Sequence, residues 1–238
     1  MKTPLGALFT LGLWLDRPAG LLAVADVLVA GGATYTGEFV EGEPGQLFAW
    51  KSDLVTRRGG AEGLPAAEVR RRAAGGRAYG LDLEVPGAGP TTVEFEATPD
   101  GPEPPERHPV LVTMAADCWG IPRFAWDRDI RRRARAHQRV VLRQLRALCT
   151  TLDPAYAVLG VESLIPTPAA LAAGAPFGGD VYFSARFPVG PVAAPASLEW
   201  VTGVFHSHWF LAEGPSTLAA VAKDFGARLS TGAGRVGR

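Results

Sequence analysis

The apolar residues of this chain come in short runs closed by glycine or proline, and this punctuation constrains the fold more than any other feature of the sequence. The runs from Leu8 to Leu15, Thr34 to Val40, Val110 to Ala115, Tyr156 to Val161 and Val181 to Phe187 are of strand length and rich in β-branched and aromatic residues. None approaches the roughly 20 apolar residues needed to cross a bilayer as a helix. The 29 glycines and 20 prolines supply the turns between them, so the chain is expected to build a sheet of several short strands.

Helical spacing appears between these runs. Leu21, Leu22, Ala25, Leu28 and Val29 recur in steps of one, three and four after Pro18, and Gly31-Gly32 stops the pattern. A second helix is expected from Pro65 to Ala74. Thr167 to Ala173 reads as a third, with Thr167 as its cap and Pro168 in its first turn. The longest runs from about Asp127 to Thr151, with Ile130, Ala134, His137, Val141, Leu145, Leu148 and Leu152 on one face. Pro215 to Leu229 closes the chain as an amphipathic helix. Tyr79 to Val85 and Thr91 to Ala97 alternate about PGAGP as a hairpin would, Leu47 to Lys51 reads as a short strand, and Leu198 to Phe210 as the last one.

These elements predict an α+β fold, with a mixed or antiparallel sheet built from strand-helix-strand units and covered by the long helix and the C-terminal helix. The stretch PDGPEPPERHP holds five prolines and no core-forming residue. It divides an N-terminal half, residues 1–98, from a C-terminal half, residues 110–229, with a linker at 99–109 and an expected disordered tail at 230–238.

Charge narrows the function classes. The 24 basic and 24 acidic residues cancel, so there is no global field to gather nucleic acid or anionic lipid. Only three of the basic residues are lysines, a bias that fits a GC-rich bacterial genome. Cys118 and Cys149 are too few for a disulfide scaffold and match no paired zinc-ligand spacing. The run from Leu5 to Leu15 is broken by Gly6 and Gly12 and preceded by one lysine, unlike a secretory leader. A cytoplasmic location is expected.

Few segments carry chemistry. In Val204-Phe205-His206-Ser207-His208 the histidines are two apart, so on a strand both imidazoles could reach one divalent ion, with Glu213 as a third ligand. This HxH followed by Glu resembles part of the first cupin motif. The sequence departs from that motif at Trp200, where it has a glycine, and no later strand offers another histidine. Cys118 follows a strand in Asp117-Cys118-Trp119-Gly120 and would need His137 or His206 nearby to act as a nucleophile. Glu162 and Asp180 could pair across a sheet. Phosphate-binding glycine loops and G-x-S-x-G elbows are absent from the sequence.

The long helix carries eight arginines, at positions 128, 131, 132, 133, 135, 139, 143 and 146. They could contact a partner, or pair within the chain with the acidic segment of Asp82, Glu84, Glu94, Glu96, Asp100, Glu103 and Glu106. Trp119 and Trp126 flank the start of this helix, and Trp and Arg are enriched at interface hot spots. Trp119, Trp126, Arg132, Arg135 and Arg139 are therefore the expected contacts to another protein. The expected function is non-catalytic protein binding or inhibition without a cofactor, of the class that includes toxin-neutralising immunity proteins. A metal-dependent enzyme using His206, His208 and Glu213 is the alternative.

Overall fold

A computed structural model describes residues 8–15, 20–41, 56–58, 64–74, 78–95, 109–115, 132, 143–161, 165–175, 180–187, 196–200, 203–206 and 215–230. Its strands, in chain order, are β1 (Leu8–Trp14), β2 (Thr34–Glu41), β3 (Thr56–Arg58), β4 (Ala78–Val85), β5 (Gly89–Phe95), β6 (Val110–Ala115), β7 (Tyr156–Val161), β8 (Asp180–Ser184), β9 (Ala196–Trp200) and β10 (Gly203–His206). The helices are α1 (Leu21–Ala30), α2 (Ala66–Ala74), α3 (residues 143–152), α4 (Pro168–Ala172) and α5 (Pro215–Ser230).

The strands form one sheet in the order β3-β2-β4-β5-β6-β1-β7-β8-β10-β9. Every pairing in it is antiparallel, which resolves the expectation of a mixed or antiparallel sheet. β1 lies near the middle, between β6 and β7, and Phe9, Leu11 and Leu13 are at most 1% exposed. A strand buried on both sides needs no polar alternation, so its near-continuous apolar run fits its place.

The pleat sends alternate side chains to opposite faces. On the first face, Phe9, Leu11, Leu13, Leu81, Leu83, Val93, Val112 and Met114 form one core with Val24, Ala25 and Leu28 of α1, Val69 of α2, and Leu145, Leu148 and Cys149 of α3. On the second face, Tyr156, Val158, Val181 and Phe183 form a smaller core with Ile165, Leu171 of α4 and Phe225 of α5. The C-terminal helix therefore covers the sheet as expected, on the face opposite α1, α2 and α3.

The expected helix from Asp127 to Thr151 is described only at Arg132 and over residues 143–152, where Leu145, Leu148 and Cys149 join the first core. The expected single strand from Leu198 to Phe210 is instead two strands, β9 and β10, paired antiparallel through Trp200 and Gly203. Leu47 to Lys51 and the tail lie outside the described residues.

Local sequence explains the element ends. At the C-terminus of α1, Gly32 adopts φ +99, the Gly32 N–H donates to the Val29 carbonyl, and the Ala33 N–H donates to the Leu28 carbonyl at 3.0 Å. This is the closure that glycine at the left-handed position permits. At α4, the Thr167 hydroxyl accepts from the Ala170 N–H at 3.1 Å with Pro168 in the first turn, as the sequence predicts.

Candidate basic interface on helix α3

α3 places its side chains on two sides. Gln144, Leu145, Leu148 and Cys149 are buried, and Arg143, Arg146 and Thr150 are exposed. The inner side is fixed in two ways. Its apolar residues join the core on the first sheet face, and Gln144 Nε2 donates to the Gly31 carbonyl at 3.1 Å. That hydrogen bond joins α3 to the end of α1, two residues beyond Val29. Val29 is 36% exposed and is the one large exposed hydrophobic among the described residues.

Among the described side chains, five other arginines, Arg70, Arg71, Arg72, Arg186 and Arg228, are drawn into ion pairs. On α2, Arg70 pairs bidentately with Asp26 of α1 and donates to the Tyr35 hydroxyl at 3.2 Å. Those hydrogen bonds hold the Arg70 guanidinium more firmly protonated. Burial raises the Tyr35 phenol above its usual range, Arg70 opposing the shift. Arg71 and Arg72 both reach Glu68, at 2.7 Å in each pair. Their hydrogen bonds lower the Glu68 carboxyl to about 2. Arg186 binds Asp153, and Arg228 pairs with Asp224 at 3.1 Å. Arg143 and Arg146 make no such pair with the described residues.

Of the expected intramolecular partners, Glu96, Asp100, Glu103 and Glu106 lie outside the described residues, and Asp82, Glu84 and Glu94 alternate along β4 and β5 with Leu81, Leu83 and Val93. The pleat puts them on the second sheet face. There Thr10, Thr113, Thr92 and Asp82 align in one row across β1, β6, β5 and β4. Thr92 Oγ1 donates to Asp82 Oδ1 at 2.7 Å, the Thr36 hydroxyl donates to the Asp82 carbonyl, and Asp82 is 1% exposed. The sheet therefore stands between these carboxylates and the arginines of α3.

Of the residues expected at a partner surface, Arg132 is helical and exposed, while Trp119, Trp126, Arg135 and Arg139 lie outside the described residues. His206 ends β10, paired with Val181 and Ala196; His208 and Glu213 lie outside the described residues, as do Cys118, His137 and Glu162. Asp180 opens β8 opposite Leu159. Cys149 is buried, and burial, followed by the nearby Asp153 charge, pushes its thiol far above the ordinary range, so it serves as a core side chain.

The expected contacts did not include Arg143, Arg146 or Val29. The spacing held a signal for the two arginines: positions 132, 135, 139, 143 and 146 follow steps of three and four, which is one face of a helix. Val29 belongs to the apolar pattern read along α1, and that spacing does not reveal its exposure.

Among the described residues no helix is long and apolar enough to cross a membrane. No protein-family model matches the chain, and a comparison with curated proteins finds no matching sequence.

Proposed function

We propose that this chain is a non-catalytic protein-binding protein of the bacterial cytoplasm that inhibits another protein, in the manner of immunity proteins that neutralise toxins. The observation that supports this reading is the outward side of α3. An element whose inner side is spent on the core presents two arginines that the described residues do not neutralise, on a helix held in place by Leu145, Leu148 and the Gln144 hydrogen bond. A rigid helix face bearing arginine is a form that protein interfaces commonly take, since little conformational entropy is lost when it docks.

The test is purification of the full chain from its source cell under native conditions, followed by mass measurement of the intact species. A complex of fixed stoichiometry with a second protein supports the reading. A chain that runs free of any protein partner overturns it.

A further inference from the structure

We infer that Arg143, Arg146 and Val29 form the centre of the docking surface and that the partner presents carboxylates to it, as an acidic protein surface; the inference rests on the binding function proposed above. Five of the arginines with described side chains, Arg70, Arg71, Arg72, Arg186 and Arg228, are matched to a carboxylate of this chain. Arg143 and Arg146 depart from that pattern, and they do so together. They stand three apart on one helix, where like charges repel, so among the described residues they form an unbalanced pair that an outside anion would relieve.

Guanidinium forks match carboxylates with two parallel hydrogen bonds, which makes arginine the side chain suited to such a contact. The Gln144 bond to Gly31 joins α3 to the end of α1, whose Val29, two residues before Gly31, is exposed. An exposed apolar side chain on the helix joined to α3 fits a folded protein surface better than a phosphate backbone. Nucleic-acid binding also draws on a long run of phosphate contacts, and a chain with 24 charges of each sign has no net field to support them. Among the described residues of the acidic segment, Asp82, Glu84 and Glu94 lie on the other sheet face.

The experiment takes the protein that copurifies with the wild-type chain, purifies it, and titrates it calorimetrically against the full chain and its variants. R143E/R146E is expected to bind at least tenfold more weakly, with its thermal melt unchanged, and R143Q/R146Q to fall between it and wild type. K223E reverses an exposed charge on α5 and is expected to bind as wild type does. The neutral variant carries the test if the double reversal fails to fold. Equal affinity for wild type and R143Q/R146Q overturns this surface while the binding function stands. Recovery of no protein overturns both, and recovery of a nucleic acid or of a partner with a basic contact surface overturns the acidic assignment.

Discussion

Phe225 on α5 is where the second sheet face can be tested most sharply. Its ring is 0% exposed and meets three others edge-on, with centroids at 4.9 Å from Phe183, 5.8 Å from Tyr156 and 5.8 Å from Phe187. Removing a buried phenylalanine side chain costs about 3–5 kcal/mol, and each aromatic pair contributes about 0.5–1.5 kcal/mol beyond its area. With three such pairs lost, Phe225→Ala should sit near the upper end, at about 4–5 kcal/mol. For a domain of this size each kcal/mol lowers Tm by about 2–4 °C, so the expected drop is about 8–20 °C. Phe225→Leu, which keeps most of the volume, should lose roughly half as much or less. Urea unfolding followed by tryptophan fluorescence and calorimetry would measure both. A loss below about 1 kcal/mol for Phe225→Ala would refute the docking of α5 on this face.

Other perturbations follow from single contacts. A methyl added at Gly226 would stand 2.6 Å from the Pro168 carbonyl and 2.6 Å from the Ala172 nitrogen, so Gly226→Ala should separate α4 from α5 and cost about 1–3 kcal/mol in thermal unfolding. Gln144→Ala leaves the Gly31 carbonyl without this donor and should cost about 0.5–1.5 kcal/mol in urea. Because the Glu68 carboxyl is lowered to about 2 from an ordinary 4.5, its contribution is complete above about pH 4.5 and fades as pH falls toward 2. The stability difference between wild type and Glu68→Gln should shrink over that interval, and a difference that grows on acidification would contradict the Arg71 and Arg72 pairing. In a Cys118→Ser chain, the buried Cys149 should stay unreactive to a thiol reagent at pH 8 until denaturant is added.

The parts of the fold visible in the sequence were those set by near neighbours. Val110 to Ala115 and Tyr156 to Val161 are bounded by turn residues, and both strands have those limits. Thr167 and Pro168 start α4 through contacts within one turn. What stayed hidden depends on distant partners. β3 is Thr-Arg-Arg, with no apolar alternation, and exists as a strand through its pairing with β2. The division between β9 and β10 falls at Val201 and Thr202, neither a residue that marks a turn. The place of β1 between β6 and β7 joins residues far apart in the chain.

At the candidate interface the same distinction holds. The inner stripe of α3 was legible through Leu145 and Leu148, and the arginine face through its spacing. Gln144 reads as a surface residue until Gly31 is found beside it. The separation of Asp82, Glu84 and Glu94 from Arg143 and Arg146 requires knowing which sheet face α3 covers.

The most direct test of a protein-binding surface on α3 is photocrosslinking in the source cell, with the crosslinking residue p-benzoylphenylalanine placed at Thr150, exposed on that helix, or at Lys223 on α5. One covalent adduct of defined mass with another protein is expected from position 150 and none from position 223. The same adduct from position 223, with none from position 150, would contradict that surface.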